Sequence, residues 1–187
     1  MFRCSTKGLS AGFLLPVLLI FSCSSKTSSV ASGECWKTLD VSATRPCEGK
    51  TFPLKYRLLE VDYPGLRNNL KRLDEGAAGD SIDLPIPLPE GNNVLYTLFK
   101  VQVMPDALAQ KYPDIHTYSG KNKSNASETI RLDISPAGVR AMILSPSGTV
   151  FIDPYCSGDS THVISYYKKD MPENTKQPFE EVIPGDN

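Results

Sequence analysis

Two near-identical turns, Ser135-Pro-Ala-Gly138 and Ser145-Pro-Ser-Gly148, constrain this chain more than any other feature. They separate three runs of alternating character, Thr129–Ile134, Val139–Leu144 and Thr149–Asp153. Proline presets φ for the second position of a type I turn, and glycine is favoured at the fourth. β-branched residues recurring with period two on either side of such turns predict an antiparallel three-strand meander. With fifteen prolines and thirteen glycines in 187 residues, the chain is rich in turns and short of helix. That length suits one domain plus a leader and tails.

The flanking segments extend the sheet. Leu54–Val61 reads as a first strand. Leu66, Leu70 and Leu73 recur at helical spacing, so Tyr63–Leu73 reads as a helix started by Asp62 or Pro64. In Ile82–Pro89 proline occupies every other position from 85 to 89, which removes ladder donors and predicts an edge strand or an extended segment. Val94–Val103 reads as a long strand with Leu95, Phe99, Val101 and Val103 on one face. Pro105–Lys111 reads as a short helix, since proline is tolerated in a first turn. Tyr118–Asn125 reads as a polar loop and His162–Lys168 as a further strand. The fold expected is mainly β, α+β with short helices, as an antiparallel sheet or sandwich over residues 52–170. Residues 171–187 read as a flexible tail.

The N-terminus has the layout of an export signal. Arg3 and Lys7 precede the apolar run Leu9–Phe21, which is too short to span a bilayer and matches a signal h-region. Ile20-Phe-Ser-Cys23 resembles a bacterial lipobox, so residues 1–22 are expected to be removed and Cys23 to be acylated. Residues 23–51 then read as a lipid-anchored tether. The chain is placed outside the cytoplasm, on an outer membrane or cell surface, where disulfides persist. Cys35 and Cys47 bracket a short polar segment, and a bridge between them would contribute about 3 kcal/mol in the chain-entropy model. Cys156 is then left over, either buried, paired elsewhere or reactive. A formal net charge of -1 gives no basic excess that would suggest nucleic acid.

Several phrases have a wording of their own: Leu58-Leu-Glu-Val-Asp-Tyr-Pro-Gly-Leu66, Leu84-Pro-Ile-Pro-Leu-Pro-Glu-Gly91, Met104-Pro-Asp-Ala-Leu-Ala-Gln-Lys-Tyr-Pro-Asp-Ile-His-Thr-Tyr-Ser-Gly120, the segment Ser135–Tyr155 and Tyr166-Tyr-Lys-Lys-Asp170. In this order they resemble the prodomain-like N-terminal region of bacterial secreted reprolysin-like zinc metalloproteases. The match covers roughly residues 54–170. The family's catalytic domain carries two histidines four apart on a helix with a glutamate to activate water. This chain has only His116 and His162 and no His-Glu pair. The resemblance therefore implies a prodomain-like module that binds, assists or inhibits a zinc metalloprotease, without a cofactor or peptidase activity of its own. One departure is Val139-Arg140, where the family tends to carry Phe-His. The end of the chain at Asn187 permits two accounts, a precursor fragment or a free-standing anchored relative.

Two residues are candidates for a zinc-directed role: in some zymogens a prodomain thiolate occupies the open zinc position. Cys156 would supply a thiolate, and Asp153 a carboxylate in a similar part, although a turn cap is its plainer role. The two histidines share no spacing and do not suggest a metal site. Ser157, Asp159, Ser160 and His162 hold the residue types of a triad, but such close packing in a loop rarely gives its geometry. The leading rival reading is the N-terminal fragment of a zinc metalloendopeptidase precursor, and a third is a surface adhesion or ligand-binding lipoprotein, because fold alone does not fix function.

Overall fold

The computed structural model describes residues 28–30, 34–41, 47, 49–76 and 79–173. The signal peptide expected over residues 1–22, the expected acylation site Cys23 and nearly all of the expected tail over 171–187 lie outside the described residues. The elements run β1 (Ser28–Val30), β2 (Trp36–Thr38), β3 (Arg57–Val61), α1 (Tyr63–Glu75), β4 (Ser81–Pro87), β5 (Asn93–Val101), α2 (Asp106–Lys111), β6 (His116–Asn122), β7 (Thr129–Ser135), β8 (Gly138–Ser145), β9 (Gly148–Pro154) and β10 (His162–Tyr167). They form one sheet in the order β1-β4-β5-β6-β7-β8-β9-β10-β3-β2, antiparallel except for the β1–β4 pair. The fold is mainly β, with a curled sheet and short helices.

The meander is β7–β8–β9, with Ser135 opposite Gly138 and Ser145 opposite Gly148. Both serine hydroxyls accept from the backbone two residues on, Ala137 at 3.3 Å and Ser147 at 3.1 Å. Gly138 and Gly148 have φ of +115° and +132°, a region that side chains disfavour. Gly138 has a second constraint, since a Cβ there would lie 2.7 Å from the Asp159 carbonyl oxygen.

Alternation sorts each strand into an inner and an outer face. Leu59, Ile82, Leu84, Tyr96, Leu98, Tyr118, Ile130, Leu132, Ala141, Ile152 and Val163 all belong to the inner core. The sheet curls around them, and α1 closes one mouth. Its stripe Leu66, Leu70 and Leu73 joins the same core. Asp62 caps the helix by accepting from Gly65 N at 3.1 Å. At the helix start, Tyr63 donates to the Ser135 carbonyl at 2.8 Å, and at its end Asp74 meets β5 and β6, so the helix crosses the opening.

The curl does not close through backbone pairing. β1 occupies only the first part of the outer edge of β4, and Pro85 and Pro87 follow with no N–H to offer. Side chains bridge the gap. Trp36 Nε1 donates to the Pro85 carbonyl at 2.7 Å and Ser165 Oγ to the Pro87 carbonyl at 2.9 Å. Arg57 reaches the Asn92 carbonyl and Asn93 Oδ1, each at 3.1 Å. The proline-rich run thus marks a true interruption of the ladder, although it is the second strand of the sheet.

The structure corrects several expectations. The proposed tether over 23–51 contains β2, and Cys35 and Trp36 within it are buried in the core. The described residues 39–41, 47 and 49–56 form a strap over the outer face of β9, β10 and β3. Beneath it Leu58, Tyr155, Ile164 and Tyr166 form a second core, with Leu39, Phe52 and Tyr56 packed against it. Tyr118–Asn125 is no loop, because its first part lies in β6, a central strand with Tyr118 and Gly120 buried. At Gly120 a Cβ would fall 2.4 Å from the Thr97 carbonyl oxygen, so only glycine lets β5 and β6 approach there. The first strand begins at Arg57 rather than Leu54.

Candidate functional site

The chemistry-bearing side chains gather at the end of the open barrel that α1 covers. Asp74, one residue beyond the last leucine of the helix stripe, is mostly buried and acts as a hub. Tyr118 Oη donates to its two oxygens at 3.0 and 3.1 Å. His116 Nδ1 lies 3.0 Å from Oδ2, Lys100 Nζ 3.4 Å from Oδ1 and an Arg67 guanidinium nitrogen 3.6 Å from Oδ2. Arg67 and Asp74 are seven apart on the helix and so share a face, while His116 and Lys100 come from the facing ends of β6 and β5. The carboxylate's acceptor positions are taken, so this group fixes the helix to the sheet and holds no free general base. No local motif announces the cluster, since its members come from three elements.

The loop between β9 and β10 lies at the same end. Asp159 Oδ1 accepts from Thr161 N at 2.8 Å and His162 N at 3.0 Å, and Oδ2 sits 3.0 Å from His162 Nδ1. Asp159 therefore shapes the turn and holds the imidazole. Among the described residues neither Ser157 nor Ser160 bonds to His162, so no nucleophile–base pair forms. His116 in β6 pairs with Asp74 of α1 and His162 in β10 with Asp159 of the β9–β10 loop, and no group of three or more potential metal ligands is found among the described residues.

Both zinc-directed candidates are engaged elsewhere. Cys156 is bridged to Cys47, with a Cα–Cα distance of 5.6 Å, and has no free thiol. This corrects the Cys35–Cys47 pairing. Cys35 is drawn into the core beside Trp36, where Asn69 Nδ2 lies 3.3 Å from its sulfur. Burial pushes the Cys35 thiol up from its ordinary value, which makes it an inert structural group at neutral pH. Asp153 does not cap a turn. It lies in β9 and accepts from Arg140 at 2.9 Å and from Tyr166 Oη at 2.8 Å. Val139 is fully buried in the core. Its neighbour Arg140 is on the outer face and pairs with Asp153.

Among the described residues two surfaces group several exposed apolar side chains. The first is the outer face of β5 to β8, opposite the core and beyond the strap. Leu95, Phe99, Met142 and Leu144 are all more than a third exposed there. Phe99, Ser119, Arg131, Met142 and Phe151 stand in one cross-strand row. β5 is thus a central strand, and its Leu95–Val101 periodicity marks the solvent side. The second surface is the β5–α2–β6 connection, residues 102–115, where α2 has no buried residue. The sheet's interior, by contrast, is occupied by Tyr96, Tyr118 and aliphatic side chains at 0% exposure, which leaves it a core and not a ligand chamber.

Tyr96, Tyr118 and Tyr166 have phenols pushed above their ordinary value, chiefly by burial and then by the carboxylates of Glu128, Asp74 and Asp153. Their folded-state values exceed the unfolded one, so the folded chain retains protons that the unfolded chain loses. The stability they contribute is complete below about pH 10 and declines as pH rises through the folded values. Melting temperature should fall steeply above that point, with a step in tyrosinate absorbance at the unfolding transition. Ionisation of all the tyrosines in the folded state near their ordinary value would contradict this.

Comparison with family models, with curated proteins and with solved structures returned no match. Fold and surfaces together define an open, helix-capped β barrel with a filled interior and uncovered outer strands.

Proposed function

We propose that the chain is an exported, lipid-anchored, non-catalytic binding module that occludes or escorts the catalytic domain of a reprolysin-like zinc metalloprotease. The observation that carries the reading is the ordered set of family phrases over residues 54–170. The site chemistry favours one mechanism within it. With Cys156 bridged and Asp153 held by Arg140 and Tyr166, a zinc-directed switch has no free ligand. Inhibition is therefore steric.

The docking face is the outer surface of β5 to β8. Phe99 and Met142 provide apolar anchors, and Lys121 and Arg131 add positive charge. An uncovered sheet face with aromatic and methionine side chains is suited to a protein partner. A membrane anchor keeps this face near proteases secreted through the same envelope.

The test is direct binding. Purified chain should bind the catalytic domain of a reprolysin-like protease from the same organism at micromolar concentration and slow its cleavage of casein. Absence of binding at that concentration would end the regulatory reading, and metal-dependent cleavage by the chain alone would overturn its non-catalytic part.

A further inference from the structure

We propose that the β5–α2–β6 connection lies on the bilayer surface, as a second membrane contact beside the acyl anchor. The proposal rests on acylation of Cys23. Four residues separate Cys23 from Ser28, the first residue of β1, and the five chain steps between them reach at most about 17 Å. The anchor therefore cannot hold the domain far from the membrane.

The register fixes which end faces it. β1 runs parallel to β4, with Ser28 opposite Ser81, and Ile82 is opposite Leu98. The chain preceding Ser28 therefore enters from the end where β5 leads into α2. Phe99 neighbours Ser81 across that ladder, and Val103 lies four residues further on, about 13 Å along an extended chain. The reach of the link and the position of the connection thus coincide.

The connection has the composition of an interfacial segment. Val103 is 50% exposed, Leu108 42%, Tyr112 44% and Ile115 39%. Lys111 Nζ lies over the Tyr112 ring, 5.6 Å from its centroid. Tyrosine is enriched at the headgroup level, and lysine can place its stem along apolar surface with its charge in water. Among the described residues no helix is long and apolar enough to cross a membrane, and the contact proposed is with the bilayer surface. The outer face of β5 to β8 stands roughly perpendicular to this end and stays free for a protein partner.

The experiment places tryptophan on the lipidated full-length chain. Leu108→Trp and, as control, Leu144→Trp are reconstituted into vesicles containing lipids brominated near the headgroup. The emission of the unsubstituted chain, from its buried Trp36, is subtracted. Insertion of an interfacial segment to about 5–10 Å predicts loss of roughly half or more of the added emission at position 108 and little at position 144. Mass spectrometry of the mature N-terminus is run on the same sample. An acylated Cys23 with no quenching at position 108 overturns this proposal while leaving the anchor intact. An N-terminus without acylation overturns the anchor, and with it the premise here. Equal quenching at both positions also contradicts the stated orientation.

Discussion

Cys156→Ser is expected to lower the stability of the folded chain by about 4–5 kcal/mol, the chain-entropy value for a loop of roughly a hundred residues. The bridge to Cys47 spans 109 residues. It also pins the strap that shields Leu58, Ile164 and Tyr166. A loss of that size corresponds to a fall in Tm of roughly 10 °C or more. Cys47→Ser should cost the same, and the double variant little more, because both remove one covalent link. Cys35→Ser should cost only about 1–2 kcal/mol, as the change of one small buried group beside Asn69. Thermal unfolding measures these values, and peptide mapping without reduction identifies the bridge. A linked peptide joining Cys35 to Cys47 would refute the assignment.

The second large effect is at Asp74. Asp74→Ala would leave Lys100, Arg67 and His116 converging on a site with no anion. Removing one member of a mostly buried charge cluster costs about 3 kcal/mol when the remainder stays uncompensated, less here because Lys100 is 40% exposed. About 2–3 kcal/mol is expected, with α1 loosened from β5 and β6. Lys100→Ala, at the exposed edge of the same cluster, should cost about 1 kcal/mol or less. Denaturant titration separates the two. Equal effects would show that the carboxylate is not the hub.

What the sequence discloses depends on how local the determinant is. The meander is legible because each turn carries its own proline and glycine and each strand its own alternation. The helix at 63–75 is legible from three leucines and Asp62. β6 is not, because His116, Thr117, Ser119, Lys121 and Asn122 read as polar loop. The strand is held by its neighbours β5 and β7, and of its inward-facing residues only Tyr118 is a large apolar side chain. β2 is hidden for the same reason, one tryptophan in a polar stretch that becomes buried only when β3 and Pro85 are beside it. The Cys47–Cys156 bridge joins distant segments, and nearness in sequence favoured the wrong partner. The residues that fix the helix to the sheet at one end of the barrel, Asp74 above all, acquire their roles from registers that no single segment contains.

The most direct test of the account is the inhibition of a reprolysin-like catalytic domain by wild-type chain, by Phe99→Arg with Met142→Arg, and by Cys156→Ser. Charges placed in the centre of an apolar docking face should weaken inhibition by about ten-fold or more, consistent with loss of an interface anchor, with Tm unchanged because both side chains are exposed. Cys156→Ser, measured below its lowered melting temperature, should inhibit as the wild type does. Inhibition that survives both arginines and disappears with the loss of Cys156 would contradict steric occlusion and restore a thiol-dependent mechanism.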